Sequence, residues 1–423
     1  MDLRKYRLVF KNIGLYTILN LFNSIIPFLL LPILTKHLSK EEFGLIDMFN
    51  NLGYIFIPFV GLNIGSSVIR FYYDKDKIDL SVFISSILYF LIFSGILLIG
   101  ATVLLSYIDS GIFEKNSLPF DLILLSIGYA LFSQIGEILL SLWRAEEDPA
   151  KFGIFRVSKS LIDLGVSAYL IVYLNMGWAA RVNTAVIVSG IFSIIAIYLM
   201  FKSYKLRFKV NYTYIKSALA YSSPLILHTA GSYIISFSDR FVILHFLTLK
   251  EVGLYGVAYQ IGMIMSFINN SFNQAWTPFM FSKLNEGNRS VFLKLHKINL
   301  YYFVLMLLMA VGVYLFVPFI YKYFIGKSFL VSPMVVFWVL LGYALNGMYK
   351  MIVNYMFYYK QTTRLSLITV LAAIVNVVLC WILVPIYGIL GAAVATTLAF
   401  LLMFLLVYIQ YHKLFMKLKN MEN

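Results

Sequence analysis

The stretch Leu38-Ser39-Lys40-Glu41-Glu42-Phe43-Gly44-Leu45 decides how this chain is read, because it returns as Leu247-Thr248-Leu249-Lys250-Glu251-Val252-Gly253-Leu254. Ser39 matches Thr248, Glu42 matches Glu251 and Gly44 matches Gly253, each 209 positions on, close to half of the 423 residues. A Ser or Thr followed three places later by Glu is a capping box, which starts a helix by satisfying orphan backbone N–H groups. Both copies stand between long apolar runs, so each predicts a tight turn between membrane helices. A second echo, Asn175-Met176-Gly177-Trp178 and Ile386-Tyr387-Gly388-Ile389, lies 211 positions apart and again separates two apolar runs. Together the echoes predict a duplicated unit of half the chain.

Composition points the same way. The chain is 61% hydrophobic and only 13% charged, about half the charge of a soluble domain, which marks an integral membrane protein. The one cysteine, Cys380, stands inside an apolar run and excludes a disulfide framework or a thiolate metal site. The basic start, Arg4-Lys5-Tyr6-Arg7, precedes an apolar run too long for a signal peptide and without a small-residue cleavage site. It reads as a retained first helix. The net charge of +15 belongs to cytoplasmic loops and a cationic cavity, with no nucleic-acid partner expected.

Twelve apolar runs are long enough to span a bilayer: 10–36, 43–69, 80–106, 119–143, 152–175, 180–201, 217–245, 252–281, 298–324, 330–358, 365–385 and 389–412. The connections are short; the longest is the basic stretch from Lys202 to Lys216 at the midpoint. It divides the chain into an N-terminal six-helix bundle, 1–205, and a C-terminal one, 206–423. Six is even, so both halves start on one side and the repeat is parallel, about an axis along the membrane normal. The termini and even-numbered loops hold about 24 of the 34 basic residues and the odd-numbered loops about 7, which places both termini in the cytoplasm.

Three basic residues remain deep within apolar runs, Lys159, Arg240 and Lys350, with the acids Asp47, Glu137, Asp163 and Asp239 in similar positions. Each costs about 2.5–3.5 kcal/mol at mid-membrane, so they belong to a wet cavity or to internal ion pairs. Lys159 and Asp163 stand i,i+4, and Asp239 adjoins Arg240, so both readings stay open. Polar residues also recur at helical spacing: Tyr16, Asn20 and Asn23; Asp47, Asn51 and Tyr54; Arg156, Lys159 and Asp163; His228, Ser232, Ser236 and Asp239; Asn269, Asn270, Asn273 and Gln274; Asn346, Lys350 and Asn354. Single stripes serve as packing glue; six of them predict a central hydrophilic lumen. Pro27, Pro58, Pro224 and Pro278 fall within the first two helices of each half and predict bends there. No catalytic motif, cofactor site or metal cluster is present, and no loop is large enough to house glycan chemistry, so an enzyme is not expected.

The chain resembles the polysaccharide flippases, of O-antigen type, within the multidrug/oligosaccharidyl-lipid/polysaccharide exporter superfamily. The resemblance covers essentially the whole chain. Its carriers are the first helix into Leu34-Thr35-Lys36-His37 and the Ser39–Leu45 turn, and Gly61-Leu62-Asn63-Ile64-Gly65 ahead of Arg70. Further carriers are Trp143-Arg144-Ala145-Glu146-Glu147, Gly177-Trp178-Ala179-Ala180-Arg181, and Ser238-Asp239-Arg240 with Val252-Gly253-Leu254-Tyr255. The resemblance implies two six-helix bundles around a cationic lumen. It also implies transport of an undecaprenyl-diphosphate-linked repeat unit from the cytoplasmic to the periplasmic leaflet of the bacterial inner membrane. It further implies a polysaccharide polymerase and a chain-length regulator as partners, beside membrane lipid. Arg156, Lys159, Arg240 and Lys350 would meet the diphosphate, whose oxygens suit Arg and Lys. Asn20, Asn51, Asn270, Asn273 and Asn346 would meet sugar. Asp47, Glu137, Asp163, His228 and Asp239 would couple transport to protons, or the membrane potential would drive it. Lipid II flippases of the same superfamily have fourteen helices and this chain has room for twelve. The competing function on the same fold is a multidrug or organic-cation antiporter, which favours an acidic lumen.

Overall fold

The computed structural model describes residues 28–108, 118–207, 209–285, 289–359 and 361–420, with Leu19 and Ile26 standing alone. Among them every regular element is helical. In order these are α1 (Phe28–His37), α2 (Lys40–Phe56), a 3₁₀ segment (Val60–Ser66), α3 (Ser67–Tyr72), α4 (Leu80–Ile108), α5 (Phe120–Ala145), α6 (Pro149–Val172) and α7 (Gly177–Tyr204). There follow α8 (Tyr212–Phe246), α9 (Leu249–Asn285), α10 (Arg289–Phe324), a short 3₁₀ turn (Lys327–Phe329), α11 (Pro333–Tyr358), α12 (Thr362–Tyr387) and α13 (Ile389–Asn420). Eight of these helices are long and apolar enough to cross a membrane, and α2 with α3 makes a ninth, bent span. The helices α6 and α8 are 24 and 35 residues long but carry the embedded charges that lower their hydropathy. The chain is an all-α, multi-pass membrane protein, and α1, α6 and α8 stand where the other three of the twelve expected runs lie, the first of them mostly outside the described residues.

Two compact units divide the chain, one of residues Ile25–Tyr233 and one holding Ile234–Asn423. In the first, α5 packs against α2, α4 and α7, and α6 against α7. In the second, α11 packs against α9, α10 and α13, and α12 against α13. The fourth helix of each half is thus the centre of its own unit, and the last two helices pair in both. The boundary falls inside α8 because the linker ahead of it is tied to α4. Ser81 Oγ donates to the Lys205 carbonyl at 2.6 Å, Arg207 pairs with Asp79 at 3.2 Å, and Asn211 N–H donates to Ser86 Oγ at 2.9 Å.

The first turn forms the capping box in full: Glu42 N–H donates to Ser39 Oγ at 3.1 Å and Ser39 N–H to Glu42 Oε2 at 2.9 Å. The same carboxylate does more, since its Oε1 accepts from Trp178 N–H at 3.3 Å at the start of α7. The two stretches that stood out as echoes therefore meet in the first unit. Gly177 is fitted to this contact: its φ is +63° and a Cβ there would lie 2.5 Å from Glu42 Oε1. In the second copy Thr248 Oγ1 donates to the Glu251 carboxylate and accepts from Lys250 N–H, so the cap is rearranged.

The bend expected at Pro58 is present and is larger than a kink: within the run 43–69 the helix breaks there and the two pieces are bent by 67°. Gly61, Leu62 and Asn63 all take left-handed conformations, at φ +74°, +47° and +57°. Non-glycine residues there carry strain, so neighbours must hold the break. Gly61 N–H donates to Ser94 Oγ at 2.9 Å, Gln134 Nε2 reaches the Ile57 carbonyl at 3.3 Å, and Ser222 Oγ reaches the Leu62 carbonyl at 3.3 Å. Hydropathy cannot register this, because every residue from 57 to 65 is apolar, small or amide.

Candidate functional site

In the first unit the polar residues of α2, α5, α6 and α7 gather around Tyr129. Its ring lies 5.4 Å from that of Phe49 and 5.8 Å from Lys159 Nζ. Asp163 is bound by Arg181 of α7 at 2.8 Å, and Arg181 also donates to Ser167 Oγ at 3.3 Å. The i,i+4 pair of Lys159 with Asp163 is therefore not the one formed. Lys159, half-buried, has no hydrogen bond or ion pair among the described residues. Arg156, one turn earlier, stands with its guanidinium 5.6 Å from the Phe152 ring. Glu137 pairs with Arg144 along α5 at 3.2 Å. Asp47, 8% exposed, accepts from Asn51 Nδ2 at 3.1 Å, and that amide also donates to the Asp47 carbonyl at 2.7 Å.

The second unit holds two embedded cations in opposite surroundings. Arg240 is 2% exposed and Asp239 fully buried, and Arg240 Nη1 donates to Asp239 Oδ1 at 2.7 Å and to the Ser236 carbonyl at 2.9 Å. The guanidinium lies over the Tyr259 ring at 3.8 Å and near Tyr255 at 4.9 Å. Asp239 Oδ2 accepts from the Tyr255 hydroxyl at 2.7 Å and from Thr396 Oγ1 at 3.3 Å, and Thr396 in turn accepts from Asn376 Nδ2 at 3.2 Å. The internal ion pair is the arrangement adopted here. Arg240 and Asp239 are committed to each other inside the helix packing.

Lys350 on α11 differs. It donates to Asn270 Oδ1 of α9 at 2.7 Å, and no carboxylate lies within ion-pair distance among the described residues. One turn on, Asn354 Nδ2 donates to Asn273 Oδ1 at 2.7 Å. Asn346, one turn before, is half-buried and has no hydrogen-bond partner among the described residues. The register of the two helices is set by Asn269, which is fully buried, donates to the Tyr343 carbonyl at 2.8 Å and accepts from Tyr302 at 3.3 Å. Its side chain fills the place a Cβ on Gly347 would occupy, 2.5–2.6 Å away. Any larger residue at 347 would push α9 off α11.

Of the sequence candidates, Asn270, Asn273, Asn346 and Lys350 thus share one seam, and Lys159 and Arg156 share the α6 face beside Tyr129. Asn20 and the side chain of His228 lie outside the described residues. Arg181, Tyr255, Tyr259, Asn269, Asn354, Asn376 and Thr396 matter to these clusters without having been site candidates. Asn269 and Asn354 stood in the polar stripes read from spacing; for the other five the partners lie on other elements or turns, and spacing gave no signal. Asp148, in the turn before α6, caps that helix: it accepts from Lys151 N–H at 3.0 Å and pairs with the Lys151 ammonium at 2.9 Å. These contacts, the backbone one foremost, hold its carboxyl below the usual carboxylate range.

A family model described as a polysaccharide biosynthesis protein matches residues 9–284, well over half of the chain. The chain belongs to this family. The resemblance read from the Ser39 turn and its companion motifs is borne out at that level. Two Haemophilus influenzae proteins are similar along most of this chain. An uncharacterized membrane protein is 27% identical over 375 residues, spanning 86% of this chain and 88% of its own. Lsg locus putative protein 1 is 24% identical over 374 residues, spanning 87% and 90%. Among solved structures, an inward-facing multidrug resistance MATE family transporter of the MOP superfamily superposes with a TM-score of 0.72 at 17% identity, covering 95% of this chain and 96% of that one. The lipid II flippase MurJ in an inward closed conformation gives 0.71 at 18% identity, covering 99% and 90%. The chain shares the fold of these two solved structures.

Proposed function

We propose that this protein flips an undecaprenyl-diphosphate-linked oligosaccharide repeat unit, of the O-antigen or capsular kind, from the cytoplasmic to the periplasmic leaflet of the bacterial inner membrane. The observation that carries the reading is the unequal treatment of embedded cations. Arg240 and, near the start of its span, Arg181 each have a carboxylate within 2.8 Å, whereas Lys159 and Lys350 have a ring and an amide. A cation in an apolar span without a counter-ion favours an anionic guest. A diphosphate supplies that charge, while the amides of Asn51, Asn270, Asn273 and Asn346 suit hydroxyl-rich sugar, and the lipid tail can stay in the bilayer. The family supports a glycan substrate over an organic cation. Alternating exposure of these polar faces to the two sides of the membrane, biased by a proton on Asp47, Glu137, Asp163 or Asp239 or by the membrane potential, completes the cycle. One charge moving through 100 mV is worth about 2.3 kcal/mol, enough to drive it.

The test is complementation of a host whose own flippase is deleted, scored by surface polysaccharide and by drug resistance. Wild-type chain should restore polysaccharide, and Lys159→Ala with Lys350→Ala should not, at equal membrane abundance. Drug resistance without polysaccharide would replace the reading with multidrug export.

A further inference from the structure

The basic linker between α7 and α8 is pinned at a definite depth. From Lys202 to Lys216 it carries five basic residues and no acidic one. The acids it does meet are already engaged: Asp79 pairs with Arg207 at 3.2 Å, and Glu146 accepts from the Tyr204 hydroxyl at 2.7 Å. Lys202, Lys205, Lys209 and Lys216 are exposed and have no carboxylate within ion-pair distance among the described residues. The backbone between them is fastened along α4. Ser81 Oγ holds the Lys205 carbonyl, the Tyr214 hydroxyl accepts from Asp79 N–H at 3.1 Å, and Ser86 Oγ accepts from Asn211 N–H. Ser81 and Ser86 stand five residues apart on one helix, a rise of roughly 7.5 Å. The linker therefore descends beside a membrane-spanning helix by about the depth of the headgroup and acyl boundary, roughly 5–10 Å. Exposed apolar groups accompany the lysines on this stretch: Val210 and Tyr212 on the linker side, and Tyr198 and Phe201 at the end of α7.

We infer that this linker is a docking surface for the headgroups of anionic phospholipids. A lysine can lay its methylene stem along apolar surface while its ammonium reaches the phosphate layer, and the bonds it gives a phosphodiester are charge-assisted. A zwitterionic headgroup brings its own ammonium, which four unpaired lysines repel; a headgroup of net negative charge brings none. Basic clusters beside a spanning helix draw acidic lipid by the same electrostatics. Depth decides between lipid and a soluble acidic partner. The Asn211–Ser86 bond turns the linker down along α4, so Lys209, Val210 and Tyr212 lie where lipid, not a soluble protein, is the neighbour. This surface is distinct from the polar clusters described above and does not depend on what the protein transports.

The experiment uses the full chain with Cys380→Ala and a fluorophore on Thr213→Cys, in nanodiscs of phosphatidylcholine. Phosphatidylglycerol or phosphatidylcholine, spin-labelled at the same acyl carbon, is added as quencher. Phosphatidylglycerol should quench at an about fivefold lower fraction or less, the worth of one lysine at an anionic surface. Replacing Lys202, Lys205, Lys209 and Lys216 together by Gln should bring the two lipids level. The same fluorophore on Ala150→Cys, in the turn beside Glu146, should see no difference between them. Equal quenching at Thr213 in the chain with all four lysines overturns the surface, and this arm holds even where the fourfold variant does not fold. A preference that survives in the folded variant, or that is as large at Ala150, overturns it too. Loss of the preference on adding inorganic phosphate at constant ionic strength would assign the lysines to a free anion and overturn the lipid surface.

Discussion

Arg240 and Lys350 both stand in apolar spans of the second unit, and their surroundings predict opposite phenotypes. Removing the guanidinium in Arg240→Ala strands Asp239 with no other cation within ion-pair distance among the described residues, and breaking a buried pair costs about 3–5 kcal/mol. Loss of membrane yield and of detergent melting temperature should follow. Lys350→Met removes a cation whose one partner among the described residues is the Asn270 amide. Yield and melting temperature should be kept or raised while polysaccharide export is lost. If Lys350→Met unfolds the protein and Arg240→Ala does not, the assignment of roles is reversed. Asp148 gives a pH prediction outside the membrane. Its folded carboxyl is depressed by the Lys151 backbone and ammonium, so its stabilisation is fully present above the unfolded value of about 3.9 and is lost as pH falls through the folded value. Asp148→Asn should flatten the acid limb of a melting-temperature profile below about pH 4 and leave the neutral region nearly unchanged, because Asn also caps helices.

At the scale of elements, the contacts that matter are joints between helices. Glu42 caps α2 and reaches the start of α7, so Glu42→Ala should cost about 1–2 kcal/mol, at the upper end for a cap. Gly177→Val should be at least as damaging, through its positive φ and the collision with the same carboxylate. Thermal unfolding of the two single variants and the double variant measures this. Effects well short of additive would show that both act through one joint. On the other unit, Gly347→Leu displaces Asn269 and separates Asn270 from Lys350. Export should fall as far as in Lys350→Met, while Gly312→Leu, where a Cβ meets nothing within 4 Å, should be tolerated. The break at Gly61–Asn63 is the remaining joint, and three hydrogen bonds from three different helices hold its strained backbone.

At the scale of the molecule, the duplicated unit fixes an expected topology. With the single Cys380 replaced by Ala, cysteines introduced at Asn175 and Tyr387 should react with an impermeant maleimide added outside intact cells. One at Lys205 should react only after lysis. The opposite pattern would invert the orientation drawn from the basic loops.

The apolar runs and their two echoes by themselves determined a twelve-helix membrane protein made of two similar halves. Length, hydropathy and capping are local properties that one stretch of chain carries alone. The presence of embedded charges at 159, 163, 239, 240 and 350 was equally legible, because hydropathy makes each conspicuous. Tertiary structure decided what those charges do. Asp163 takes Arg181 over Lys159, Asp239 closes on Arg240, and Lys350 is left to an amide. Pro58 announced a bend in this span, and the left-handed backbone at Leu62 that completes the break was decided there too, beside Ser94, Gln134 and Ser222. Pairing energies depend on distance and burial between helices far apart in the chain, and sequence spacing records neither. The opening turn shows both halves of this division. Ser39 and Glu42 announce a helix start by their spacing, and only folding brings Trp178 to the same carboxylate.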